Sequence, residues 1–249
     1  MSGHSKWSTI KHKKAAADAR RGKVFTRITK ELVIAAREGG ADPDSNVRLR
    51  LAVDKARAAN MPKENIERAI KRGTGEIEGG EIEEATYEGY GPHGVGILVE
   101  VVTDNRNRAI AEVRHAFNKH GGNMAEAGAV AWQFTRKGYI SIADGYEPDE
   151  LFLLAAEAGA EDVSFEDGLA EITTEMEALH ETRSALEAAG YTADEVSLFF
   201  EPNNPLALAQ NEALAVLRLV EALEELDDVQ EVSTTLDLDA ETLAALEAA

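Results

Sequence analysis

The sequence predicts a multidomain α+β protein: an N-terminal three-helix bundle, then an α+β domain with a ferredoxin-like β-α-β-β-α-β domain inserted in it. Apolar residues recur at three- and four-residue spacing in the first 73 residues, and β-rich runs alternate with helical segments after them. The element order over 131–202 is β-α-β-β-α-β. The β-β-α piece before it and the α-β piece after it complement each other, which predicts an insertion.

The predicted domain boundaries follow from these patterns and from composition. Gly-rich TGEIEGGE predicts a linker after the helices. PNNP predicts a break between elements near residue 202. The predicted segments are a flexible basic arm at 1–17, a basic helical domain at 18–80, an α+β domain made of 81–130 plus 203–249, and the inserted domain at 131–202.

Three helices are predicted in the first domain. Val24, Ile28 and Leu32 recur every four residues and predict the buried face of the first helix, which ends at a Gly-Gly pair. Its cations share the other side, which is predicted to stay cationic. Asp44 or Ser45 is predicted to cap the second helix, NVRLRLAVDKARAAN, and the third, PKENIERAIKRG, is predicted to stop at its final glycine.

Composition excludes several function classes. The chain has 249 residues, 44% of them hydrophobic, so a packed core is expected. It contains no cysteine, which excludes disulfides and thiolate chemistry and fits a reducing compartment. No apolar run is long enough to span a membrane, and no apolar segment of a secretory signal follows the basic N-terminus. A cytoplasmic protein without membrane partners is expected.

Charge is distributed very unevenly along the chain. The net charge is −20, from 26 Lys and Arg against 46 Asp and Glu. Residues 1–72 hold 18 of the basic and 8 of the acidic residues, which leaves 8 and 38 for residues 73–249. Such asymmetry indicates that the N-terminal part meets an anionic partner, because a local positive potential steers encounters with polyanions.

The candidate nucleic-acid-binding residues therefore lie in the arm and the first helix. Basic residues there outnumber acids more than two to one, unlike the rest of the chain. Trp7 could stack on a base or could anchor the arm on its own bundle, and the sequence leaves both open. The predicted contact set is Lys6, Trp7, Lys11, Lys13, Lys14, Arg20, Arg21, Lys23, Arg27 and Lys30.

A second, smaller basic spot lies in TDNRNR, where a strand ends and a helix starts. Asp104 or Asn105 is predicted to cap that helix. Arg106 and Arg108 form the spot, although internal salt bridges to neighbouring acids are the alternative for both.

Motifs for catalysis or cofactor binding are weak. GYGPHG has the spacing of a dinucleotide loop, but it precedes a strand and contains proline, so it predicts a turn between strands. The six histidines lack metal-site spacing, and no nucleophile elbow or phosphate loop is found. We expect no enzyme activity, no metal, no cofactor and no small-molecule substrate.

Four stretches resemble one family. GHSKWSTIKHKKAAADARRGKVFTRITKEL, NMPKENIERAIKRG, YEGYGPHGVGILVEVVTDNRNRAIAEVRHAF and GAVAWQFTRKG are similar to the YebC/PmpR family, over Ser2 to about Gly138, and the similarity continues by pattern to the C-terminus. His93 and Ala129 depart from it, where Gly and Ser are common. The resemblance implies an N-terminal helical domain plus two α+β domains, one inserted in the other.

The resemblance also implies a function. Members are usually described as probable DNA-binding transcriptional regulators, mitochondrial relatives are translational activators, and some bacterial members are linked to ribosomes stalled at difficult sequences such as proline runs. Three hypotheses follow: a DNA-binding regulator, a translation factor that contacts ribosomal RNA on the ribosome, and a general polyanion binder. All three predict salt-sensitive binding, and the expected partner is nucleic acid, either DNA or ribosomal RNA.

Overall fold

The structure is a computed structural model that describes residues 19–78, 82–166 and 168–238. The described part contains seven α-helices: α1 Ala19–Gly39, α2 Val47–Ala58, α3 Lys63–Gly73, α4 Arg106–Lys119, α5 Pro148–Glu157, α6 Leu179–Ala188 and α7 Gln210–Glu224. It also contains ten strands: β1 Glu83–Tyr90, β2 Gly96–Thr103, β3 Asn123–Met124, β4 Phe134–Ile142, β5 Ala160–Glu166, β6 Leu169–Glu175, β7 Glu195–Pro202, β8 Leu206–Ala207, β9 Val229–Thr234 and β10 Leu236–Asp237.

Residue contacts divide the chain into two compact units. The smaller unit runs from Phe134 to Glu201, and the larger one comprises the described residues before and after it. The mixed α+β architecture that the sequence predicts is confirmed, with helices first and sheets after them.

The three N-terminal helices share one apolar core. Leu32 and Ile28 are buried in it, as their spacing predicts. Val24, predicted to join them, is instead exposed. Val102 of β2 belongs to the same core, so the helices pack on the larger unit's sheet.

Asn46 caps α2, in place of the predicted Asp44 or Ser45. Its side-chain oxygen accepts a hydrogen bond from Leu49 N at 3.0 Å. Its amide nitrogen donates to the carbonyls of Ala35 and Gly40 at 2.7 and 2.9 Å. One side chain therefore satisfies a free N–H at the start of α2 and carbonyls near the end of α1.

The sheet of the larger unit has the order β3-β1-β2-β9, and its paired strands are antiparallel. Alternate residues of β2, including Ile97 and Val99, are buried against Phe117 of α4 and Leu219 of α7. The GYGPHG segment is the predicted turn between β1 and β2, and within it His93 and Gly94 adopt positive φ of 62° and 81°. The β-β-α piece and the late α-β piece thus complete one sheet.

The sheet of the smaller unit has the order β5-β6-β4-β7. β6 pairs antiparallel with both β5 and β4. Ile140, Ile172 and Leu151 are fully buried in this unit. The order is that of the split β-α-β-β-α-β fold, and the predicted ferredoxin-like topology is confirmed.

Candidate nucleic-acid interface

Much of the predicted contact set lies outside the described part of the chain. Lys6, Trp7, Lys11, Lys13 and Lys14 precede residue 19. Arg20 and Arg21 belong to the first turn of α1, with side chains outside the described part. The structure describes the side chains of the three remaining α1 cations: Lys23, Arg27 and Lys30.

Two of these cations form hydrogen bonds with the C-terminal end of α7. Lys23 Nζ donates to the carbonyl of Glu225 and lies 3.4 Å from Asp227 Oδ1. The Arg27 guanidinium donates to the carbonyls of Glu224 and, at 3.1 Å, Leu226. The last carbonyls of a helix lack intrahelical partners and carry partial negative charge, so cations are favourable there.

Lys30 reaches a buried carboxylate just beyond α7. Its Nζ lies 2.5 Å from Asp228 Oδ1. The other oxygen of Asp228 accepts from Arg108 at 2.7 Å and from Thr103 Oγ1 at 2.9 Å. Burial alone would raise the pKa of Asp228, but these hydrogen bonds outweigh it and hold the pKa below its ordinary value.

These contacts reduce the number of cations that α1 and the second basic spot leave available to bind a ligand. On the side of α1 that is predicted to stay cationic, Lys23, Arg27 and Lys30 instead bind residues 224–228. Arg108 follows the alternative that the sequence left open, since it pairs with Asp104 and Asp228. Arg106 is exposed and is the first residue of α4, and Asn105 caps this helix.

Exposed cations are found instead on the outer side of α3 and at the end of α2. Lys63 and Arg57 have side chains 90% and 73% exposed, and Arg68 and Lys71 are exposed as well. Their intrahelical ion pairs, such as Lys63 to Glu67 at 3.7 Å, are solvated and weak. Arg68 and Lys71 are three residues apart and therefore neighbours on one face.

Sequence reasoning missed this group, which we call the α3 cations: Lys63, Arg68 and Lys71. A signal was present, because Ile66 and Ala69 are the buried residues of α3 and the cations occupy the remaining positions. Glutamates are interleaved with them, at Glu64 and Glu67. This arrangement suits separate contacts to phosphates.

The described residues contain no helix that is long and apolar enough to cross a membrane. They also contain no cluster of three or more histidine and acidic side chains with the geometry of a metal site.

Comparison with known proteins identifies the family. The family model for the TACO1/YebC protein N-terminal domain matches residues 5–76, and the model for the TACO1/YebC second and third domain matches residues 82–236. A protein of Trichlorobacter lovleyi, named probable transcriptional regulatory protein, is 54% identical over 243 residues, 98% of each chain. A protein of Acidithiobacillus ferrooxidans with the same name is 54% identical over 248 residues, 100% of this chain and 99% of that one.

A solved structure agrees with these matches. The crystal structure of a conserved hypothetical protein from Aquifex aeolicus superposes with a TM-score of 0.83 at 45% identity, over 91% of this chain and 94% of that one. With both family models covering nearly the whole length, this chain belongs to the TACO1/YebC family.

Proposed function

We propose that this chain is a non-enzymatic, DNA-binding regulator of transcription that acts in the cytoplasm. It binds nucleic acid through its helical domain. The α3 cations carry the proposal, because they are exposed on the helical domain that directly follows the basic arm in the sequence. The name probable transcriptional regulatory protein, given to relatives at 54% identity, supports it. The proposed activity needs no cofactor and no small-molecule substrate.

The proposed contact is mainly to the phosphate backbone. Lys63 and Lys71 lie eight residues apart on α3, about 12 Å along the helix axis, which is within reach of successive phosphates. The arm cations Lys11, Lys13 and Lys14 would add further phosphate contacts.

A second candidate is a translation factor that binds ribosomal RNA. The interleaving of Glu64 and Glu67 with the α3 cations favours it, because a surface of mixed sign is poorly suited to lie along a duplex groove. Structured RNA is read by shape and backbone contacts, which separate cations can make. The acidic remainder of the chain would then face solvent or basic ribosomal proteins.

Charge reversal tests the interface. One variant replaces Lys63, Arg68 and Lys71 with Glu, and a second replaces Lys11, Lys13 and Lys14 with Glu. A charge-matched control reverses three exposed cations of α4 and α7: Arg114, Lys119 and Arg218. Binding to duplex DNA and to structured RNA is measured across salt concentrations, with circular dichroism as the check on folding.

The α3 and arm variants should each bind more weakly, and their log–log salt slopes should fall by roughly 0.7 to 0.9 for each phosphate that the variant no longer neutralises. The control should keep most of the wild-type affinity. Equal losses of affinity in all three folded variants would show that net charge alone governs binding and would contradict the proposed interface.

In-cell crosslinking, with DNA and RNA libraries sequenced in parallel, separates the two candidates. Focused promoter peaks that disappear in the α3 variant would support a transcriptional regulator. Focused ribosomal RNA sites would support the translation factor, and diffuse signal in both libraries would leave only a general polyanion binder.

A further inference from the structure

An exposed aromatic pair lies at the end of β1 that is farthest from the helical domain. Trp132 is 68% exposed and Tyr90 is 37% exposed. The indole N–H and the phenol O–H both donate to one acceptor, the carbonyl of Ala129, at 3.0 and 2.9 Å. We call this pair the aromatic shelf. Its polar atoms are satisfied internally, so the ring faces are what it offers to a ligand.

A buried carboxylate forms hydrogen bonds with the backbone of the loop that carries the shelf. Glu88 accepts hydrogen bonds from the backbone N–H groups of Gly128, Val130 and Ala131 at 2.6, 2.6 and 2.8 Å. Asn203 adds a side-chain hydrogen bond to the carbonyl of Trp132 at 3.1 Å. A large aromatic side chain that is exposed yet preorganised has the properties of an anchor in a protein interface.

The stretches of the larger unit that build the shelf carry no positive charge for a nucleic-acid backbone. The three stretches that build this end of the sheet, 82–105, 121–133 and 202–217, contain no lysine and no arginine. Glu126 is exposed and begins the turn whose last residue, Ala129, carries the shared carbonyl. Proteins that stack bases on aromatic residues pair them with a positive groove for the backbone, and these stretches supply none.

From these observations we propose that the aromatic shelf docks a basic protein segment, with an arginine stacked on the face of Trp132. Indole is the best aromatic partner for a cation, and guanidinium is the cation that most often occupies it. The shelf and the helical domain lie at opposite ends of β1, about 25 Å apart along the strand. It is thus a second surface, with a different partner from the nucleic acid proposed above.

The experiment uses Trp132 as its own reporter. The chain has two tryptophans, so Trp7→Phe leaves Trp132 as the single one in the full-length protein. Emission and acrylamide quenching are followed during titration with a short oligoarginine peptide, an oligolysine peptide of equal length and a single-stranded oligonucleotide. Affinity for dye-labelled oligoarginine is measured separately for Trp132→Leu and for a matched control, Phe152→Leu, which alters another exposed aromatic residue.

Oligoarginine should shift the emission of Trp132 and protect it from acrylamide quenching. Both effects should saturate and should be larger than those of oligolysine. Trp132→Leu should weaken oligoarginine binding about two- to fivefold, and Phe152→Leu should leave it unchanged. Three results would each overturn the proposal: equal responses to both peptides, protection by the oligonucleotide alone, or no response to any probe.

Discussion

At the scale of single residues, two buried carboxylates join parts of the larger unit that are far apart in sequence. Asp228 connects Lys30 of α1 with Arg108 of α4. Glu88 connects β1 with the loop that precedes β4. Each is stabilised as an anion by several donors, so removing the charge leaves those donors unsatisfied.

Asp228→Asn should lower the free energy of unfolding by about 2 to 4 kcal/mol, because Lys30 and Arg108 lose their anionic partner. Urea denaturation followed by circular dichroism measures this. Asp227→Asn is the matched control in the same loop. The Asp227 side chain is 83% exposed, so its effect should stay below about 0.5 kcal/mol. Similar losses of stability in both variants would contradict the assigned role of Asp228.

Glu88 gives the stability a defined pH dependence. Burial alone would raise its pKa, but the three backbone donors outweigh burial and lower the pKa. Its contribution is therefore complete above the unfolded-state pKa of about 4.3 and is lost as pH falls through the folded-state pKa. Glu88→Gln should cost about 2 kcal/mol at pH 7, with the difference from wild type shrinking in acid. Urea midpoints from pH 7 to pH 3 measure it.

Glu171 provides the control, because its effect on stability should change with pH in the opposite direction to that of Glu88. Burial raises its pKa, although the hydroxyl of Tyr139 donates to it at 2.9 Å. Its charged form is penalised in the folded state, so its contribution to stability declines as pH rises above about 4.3. Glu171→Gln should therefore gain stability relative to wild type between pH 4 and pH 7. Parallel pH profiles for the Glu88 and Glu171 variants would refute the assignment.

At the scale of elements, close approach between helices gives a second reason for a glycine that the sequence pattern interprets only as a helix stop. Gly73 is the last residue of α3, where the sequence predicts that the helix stops, and it also faces α1. A Cβ at this position would lie 2.4 Å from the carbonyl oxygen of Val33 and 2.8 Å from the Cβ of Ala36. The glycine permits α1 and α3 to pack at short range.

Gly73→Ala should therefore destabilise the protein by about 1 to 3 kcal/mol through overpacking. The same substitution at Gly22, inside α1, is the matched control. A Cβ there would have no atom within 4 Å, so Gly22→Ala should stabilise by about 0.5 to 1 kcal/mol through helix propensity. Thermal unfolding of both variants measures the difference, and two changes of equal sign would be inconsistent with this explanation.

At the scale of the whole molecule, charge divides the chain into a basic part and an acidic part. The first 72 residues are basic and the remainder is strongly acidic. Part of the basic charge is engaged within the protein, because Lys23, Arg27 and Lys30 bind backbone carbonyls or carboxylates of residues 224–228. We therefore expect the α3 cations to contribute more to nucleic-acid binding than Lys23, Arg27 and Lys30 do.

The division into 1–17, 18–80, 81–130 plus 203–249, and 131–202 stays a prediction that proteolysis can test. The compact unit from Phe134 to Glu201 has its own sheet and buried core, so it should survive brief digestion as a fragment. Cleavage is expected near 203–205, where the chain is exposed, and mass spectrometry identifies the fragments. Cuts within β4 to β7 before any such fragment accumulates would argue against the division.

Local patterns were informative where a residue's environment depends on its own helix or strand. The spacing of Ile28 and Leu32 identified their burial, and GYGPHG was correctly interpreted as a turn. Val24 obeys the same spacing yet is exposed, because periodicity defines a face without showing how far along the helix the neighbouring elements extend. Asn46 replaced the predicted caps because it also satisfies carbonyls of α1.

By itself, the sequence determined the order of helices and strands, the ferredoxin-like topology and the charge asymmetry, because these follow from local periodicity and composition. Tertiary structure alone decided which cations remain exposed. The partners of Lys23, Arg27 and Lys30 lie about 200 positions away, and many are backbone carbonyls, which every residue type carries. The donors to Glu88 are likewise backbone N–H groups. No side-chain pattern can encode such partners, so only the folded chain reveals them.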